Sequence, residues 1–210
     1  MKCFLREKYK QIAFVSLSVF IIFVLALKFG IFDNMNQIFY NFTKEYKNNN
    51  IYNVAIVFSD LFGSLGSLLL FSAFILILLK LHKMQELYFA LIFAALSVGA
   101  TLLLKYTLQI QRPLNFINGL TGYSFPSGHG VLSIVLAVVL FLLVSSLVKN
   151  NFILQAVKFI LLLYIFVSMF ARIYVGSHWV SDVLGSILLV VFSYSVSCLL
   201  FDMLKSRVKL

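Results

Sequence analysis

Residues 130–148, GVLSIVLAVVLFLLVSSLV, contain no charge and no proline. As a helix rising 1.5 Å per residue this stretch is about 28 Å long, close to the ~30 Å hydrocarbon core of a bilayer. Five further stretches have the same character: residues 12–27, 61–79, 87–104, 152–171 and 183–201, each with at most one formal charge. Runs of this length and apolarity predict transmembrane helices. The expected fold is therefore all-α, a polytopic membrane protein of six transmembrane helices forming one domain over residues 1–210.

Composition agrees. Hydrophobic residues make up 62% of the chain and charged residues 11%, whereas soluble domains spend about a quarter of their residues on charge. Mean hydropathy is +1.02. The net charge of +10 does not mark a nucleic-acid surface, because the basic residues are scattered and sit mostly near the ends of apolar runs. They read instead as topology signals. Lys2, Arg6, Lys8 and Lys10 precede the first span, Lys80 and Lys83 follow the second, Lys149 follows the fourth, and Lys205, Arg207 and Lys209 close the chain. These alternate ends are assigned to the cytoplasm, which places both termini there. The basic start followed by an apolar run is read as a retained first span, since no small-residue cleavage pattern follows it. In the first connection Lys28, Lys44 and Lys47 balance Asp33, Glu45 and Asp60, and an interfacial helix is expected around residues 35–46. Asp60 is read as a helix start, and Lys158, inside the fifth span, as a snorkelling side chain. Two cysteines, Cys3 and Cys198, suggest neither a disulfide framework nor a thiolate metal site.

Both prolines of the chain, Pro113 and Pro126, lie in the third connection. From Lys105 to His129 it reads KYTLQIQRPLNFINGLTGYSFPSGH, and the fifth reads ARIYVGSHWVSD from Ala171 to Asp182. The predicted topology brings both segments to one outward face. Charge within a membrane helix is expensive, about 2.5–3.5 kcal/mol at its centre on insertion scales. Lys105, Arg112, Arg172 and Asp182 thus call for partners or a wet cavity. Three cations can hold a dianion such as phosphate, the arginines in bidentate fashion and the lysine as a point charge. Pro126-Ser127-Gly128-His129 opens the fourth span, and the unpaired amides of a helix start add an anion site that Ser127 and Gly128 can present. His178 and Asp182, four residues apart, are expected on one helix face, where a carboxylate fixes the imidazole tautomer. His129 is then free to act as an acid.

Plainer readings exist for each residue: Lys105 and Arg112 as interfacial anchors, Ser127 as a simple cap, His178 with Asp182 as a buried structural pair. Their concurrence in two segments on one face favours a phosphate site.

The residues resemble the type 2 phosphatidic acid phosphatase superfamily, which also includes vanadium haloperoxidases and bacterial acid phosphatases. Its first motif, lysine, six residues, arginine, proline, matches Lys105 to Arg112-Pro113. Its second, proline-serine-glycine-histidine, matches Pro126 to His129. The third matches at Arg172, His178 and Asp182, with Ala171 where the family usually has serine. The resemblance implies that His178 attacks phosphorus to form a phosphohistidine, Asp182 supports it, and His129 protonates the leaving group. Lys105, Arg112, Ser127, Gly128 and Arg172 would bind phosphate. It also implies no metal and no cofactor, and a lipid phosphate or pyrophosphate substrate of the phosphatidylglycerophosphate, undecaprenyl pyrophosphate, phosphatidate or lipid A type. The expected location is a bacterial cytoplasmic (inner) membrane, with the site facing the periplasm or exterior. A lipid phosphotransferase using the same phosphohistidine is the alternative. An anion transporter ranks last, because it gives no reason for the spacing of His178 and Asp182.

Overall fold

Within a bilayer no water satisfies backbone N–H and C=O groups, so an apolar chain must pair them internally, and a helix does so locally. The structure, a computed structural model, describes residues 2–46, 48–61, 64–113 and 122–208; the side chains of residues 2–5, 59–61, 64 and 206–208 are not described. Among the described residues it is all-helical, with α1 (Lys2–Lys28), α2 (Asp33–Glu45), α3 (Asn49–Leu61), α4 (Ser64–Lys80), α5 (Met84–Leu108), α6 (Gly128–Leu147), α7 (Asn151–Tyr174) and α8 (Val180–Val208).

Five of these, α1, α5, α6, α7 and α8, are long and apolar enough to cross a membrane. The expected second span is a shorter apolar helix, Leu65–Lys80 within α4, which at 1.5 Å per residue extends about 24 Å. It is preceded by α3, a helix in the part of the chain expected as the end of the first connection. Asp60 therefore lies in the last turn of α3 and is not a helix start. The interfacial helix expected near residues 35–46 is present as α2.

Helices α6 and α8 form the centre. Their most apolar windows are 44% buried, against 17% for α1 and α7, which turn most of their surface outward. α8 packs along α1 and α5, while α6 packs along α7, α4 and α5. Small residues let these helices approach: a Cβ placed on Gly130 of α6 would meet Ser186 Cβ of α8 at 3.3 Å. A hydroxyl pair 2.6 Å apart, Ser133 and Ser168, ties α6 to α7. An aromatic group of Phe89, Phe93, Tyr194 and Phe201 joins α5 to α8.

The start of α1 and the end of α8 share one end of the bundle, where Tyr9 meets Tyr194 edge-on at 6.5 Å and Lys205 Nζ donates to Gln85 at 2.6 Å. Lys105, the start of α6, the end of α7 and the start of α8 therefore gather at the opposite end.

Candidate active site

Most of the site's polar groups sit at helix termini, and Arg112 and His178 lie in the connections beside them. Ser127 is the N-cap of α6, its Oγ accepting from Gly130 N at 3.2 Å. This leaves the amides of Gly128 and His129, the first two of the helix, without an intrahelical partner. Lys105 stands in the last turn of α5, and its Nζ donates to the carbonyls of Tyr123 at 2.7 Å and Ser124 at 3.3 Å. Its Cε is 3.9 Å from where a Cβ on Gly128 would sit, which places the ammonium beside the start of α6. Arg172 ends α7 as a buried side chain, and its carbonyl accepts from Ser177 N, Ser177 Oγ and His178 N, shaping the turn that carries His178.

His178 and Asp182 are paired, but not across a helix face as expected. His178 lies in the connection before α8, and Asp182 is the third residue of that helix. A carboxylate there reaches back to the N-cap amide: Asp182 Oδ2 accepts from Trp179 N at 2.8 Å and stands 3.2 Å from His178 Nδ1. The cap geometry thus aims the carboxylate at the ring. On the ring's far side, Arg112 Nη1 is 3.3 Å from His178 Nε2 and donates to Ser177 O at 2.7 Å. Because a guanidinium only donates, Nε2 meets it with its lone pair and the ring proton sits on Nδ1, toward Asp182. The Nε2 lone pair is therefore the one directed at Arg112. Burial first, then the charges of Arg112, Arg172 and Lys105, hold His178 well below the usual histidine value of 6.5, so the ring is neutral. His129 lies within electrostatic range of Arg172, His178, Arg112 and Lys105.

The structure thus gathers all eight sequence-expected residues at one end: Lys105, Arg112, Ser127, Gly128, His129, Arg172, His178 and Asp182. Ala171 is buried in a small apolar cluster with Tyr52 and Ala55 of α3, Tyr174 and Val175. Among the described residues no three His, Cys, Asp or Glu side chains are placed to hold a metal ion.

Several participants were not visible in the sequence. Ser124 Oγ is 3.3 Å from Asp182 Oδ1, the carboxylate oxygen that His178 does not face. Trp179 Nε1 donates to Gln111 O at 2.8 Å and so bridges the two motif segments. Asn36 of α2 is buried against α8, its Nδ2 donating to Ser181 Oγ at 2.9 Å and its Oδ1 accepting from Ser181 N at 3.1 Å. The available signal was periodic: Asn36 and Thr43, seven apart, are the buried face of α2. Asn36→Leu leaves the Ser181 amide unpaired next to Asp182, and a stability loss of about 1–3 kcal/mol is expected, read as a lower melting temperature. Asn36→Asp, which still accepts from that amide, should lose much less; an unchanged melting temperature in Asn36→Leu would show that α2 does not latch α8.

Together these features define a membrane-helix bundle built around one polar, cation-rich site at its end. The chain belongs to the PAP2 superfamily, whose family model matches residues 85–206. A curated relative, the undecaprenyl-diphosphatase of Sulfolobus acidocaldarius, is 38% identical over 92 residues, covering 40% of this chain and 40% of the relative. The chain thus matches less than half the length of that protein. Among solved structures, the transmembrane PAP2-type phosphatidylglycerolphosphate phosphatase from Bacillus subtilis is similar with a TM-score of 0.78 at 20% identity, over 93% of this chain and 96% of that one. LpxE of Aquifex aeolicus is similar with a TM-score of 0.61 at 22% identity, over 78% and 94%. At these identities the two structures speak for the fold.

Proposed function

We propose that this chain is an integral membrane phosphatase that hydrolyses a lipid phosphate or pyrophosphate through a phosphohistidine. The observation that carries the reading is the ordered line from Asp182 through the neutral ring of His178 to Arg112, beside the free amides of Gly128 and His129.

In the proposed reaction the substrate phosphate enters among Lys105, Arg112, Arg172 and the α6 amides, and Arg112 turns from His178 Nε2 onto a phosphate oxygen. Nε2 attacks phosphorus and forms the P–N bond as the P–O bond to the lipid, or to the lipid's remaining phosphate, breaks. His129 gives its proton to the departing oxygen. Asp182 stabilises the positive ring. Water then attacks phosphorus, His129 takes its proton, the P–N bond breaks, and inorganic phosphate leaves with His178 neutral again. Developing charge on the phosphoryl oxygens is met by donors already in place, the usual source of most of the acceleration.

In this reading α4 completes six crossings, both termini are cytoplasmic, and the site faces the periplasm or exterior of a bacterial cytoplasmic membrane. Support comes from the shared end of α1 and α8 and from the basic residues at that end. The names of the relatives suggest undecaprenyl diphosphate, phosphatidylglycerophosphate and lipid A as substrates to assay, with phosphatidate beside them. The experiment is release of inorganic phosphate from these four by the purified protein. At least one is expected to be turned over far faster than the rest; no release from any of them would overturn the reading.

A further inference from the structure

A groove of about 700 Å³ opens on the flank of the bundle between α7 and the α1–α8 pair, with α6 as its floor. That volume lies within the ~300–1,000 Å³ of small-molecule sites. Its walls are apolar, Ile134 and Val138 from α6, Ile165 from α7, Ile187 and Val191 from α8, until the end remote from the catalytic cluster. There Lys158, Tyr9 and Tyr194 line it instead.

The groove has a length, a polarity and a direction. From Ile134 to Leu142 its floor runs about 12 Å, near the ~15 Å depth of one hydrocarbon leaflet. Its single cation is Lys158, an exposed side chain whose Nζ lies 5.3 Å from the Phe141 ring centroid and which forms no ion pair among the described residues. Helical side chains lean toward the N-terminus, so the ammonium is aimed at the end where α7 begins, away from Arg172. A headgroup bound there lies at the opposite end from His178. The apolar walls begin five residues below His129 and five below Asp182, so the polar end is wrongly placed for a substrate phosphate.

We propose that this groove holds one anionic glycerophospholipid of the leaflet opposite the active site, its headgroup on Lys158 and an acyl chain lying between α7 and α8 toward the bilayer centre. A zwitterionic lipid brings its own cation and gains less from a lone ammonium, so charge complementarity selects the anionic headgroup. The lipid supplies what α7 lacks. This helix is only 17% buried along its apolar window, packs on α6, α3 and α2, and carries Arg172 at its far end. A chain filling the groove steadies it without taking part in the reaction, and the proposal does not depend on the substrate.

The test places the full-length protein in nanodiscs of equal parts phosphatidylglycerol and phosphatidylcholine, re-extracts it gently and identifies retained lipid by mass spectrometry. Wild type is expected to retain one phosphatidylglycerol per chain with about fivefold preference, the selectivity one cation near an anionic headgroup supplies. Lys158→Met should lose the preference and Lys158→Arg keep it. Lys149→Met, a lysine at the same end but outside the groove, should also keep it. Phosphatidylglycerol should raise the melting temperature of wild type and not of Lys158→Met. Equal retention of both lipids by wild type, or an unchanged preference in Lys158→Met, overturns the proposal. So does displacement of the lipid by a non-hydrolysable single-chain prenyl phosphonate, which would give the groove to a substrate tail.

Discussion

His178→Ala is expected to abolish phosphate release, with kcat falling by about 10,000-fold or more, the scale seen when a nucleophile acting in a unit is removed. The fold should survive, because Asp182 keeps its bonds from Trp179 N and Ser124 Oγ. Asp182→Asn is the informative companion, since it preserves the cap while removing the charge that supports the ring; a loss on the order of 1,000-fold is expected. The pH profile reads the same site. The attacking form is the neutral ring, and burial together with Arg112, Arg172 and Lys105 opposes its protonation. Falling pH therefore should not charge His178 near 6.5, and the acid limb of kcat/KM belonging to it should lie lower. Arg112→Ala removes the cation nearest Nε2, so that limb should move upward toward 6.5. Retention of most activity by His178→Ala, or an acid limb indifferent to Arg112, would place the nucleophile elsewhere.

Much of this was legible in the sequence because membranes make charge conspicuous. In a chain with 11% charged residues, Lys105, Arg112, Arg172 and Asp182 beside apolar runs stand out, and two prolines mark the segment between them. The long helices follow from length alone. What the sequence concealed had local causes. Helix α3 lies at the end of the stretch expected as a connection, where the polar run Lys44–Asn50 and Asp60 hide the apolar residues between them. The spacing of His178 and Asp182 suggested a helix face; the chain realises it as a capping contact, which the same four-residue offset also permits. Ser124, Trp179 and Asn36 act across 58, 68 and 145 residues of sequence; the spacing of Asn36 and Thr43 hints at a buried face of α2, but nothing local names the partner at such range. Serine and asparagine also carry no insertion penalty large enough to flag them as charges do.

Gly185→Ala should be the most damaging substitution outside the charged cluster. Gly185 lies in α8, and a Cβ there would reach within 2.6 Å of Phe125 Cζ, with Phe23 Cε1 at 3.3 Å. Phe125 cannot retreat: it is fully buried, stacked near both Phe20 and Phe23 of α1 at 6.3 Å. Either α8 shifts outward or the ring leaves its seat. Overpacking of this kind typically costs about 1–3 kcal/mol, and here the strain falls on functional backbone, since Phe125 immediately precedes Pro126-Ser127-Gly128-His129. Displacement of α8 also moves Asp182, three residues before Gly185, and with it the bond from Ser127 N to Asp182 O. A reduced melting temperature and a loss of activity are therefore expected together. Phe125→Ala separates the clash from any other effect of the added methyl. It opens a cavity beside Gly185, so Gly185→Ala should destabilise little or even stabilise in that background, giving a non-additive double-mutant cycle. Additive effects would mean that α8 and the segment before α6 do not meet at this point, and that the register between the histidine of one motif and the carboxylate of the other is set somewhere else.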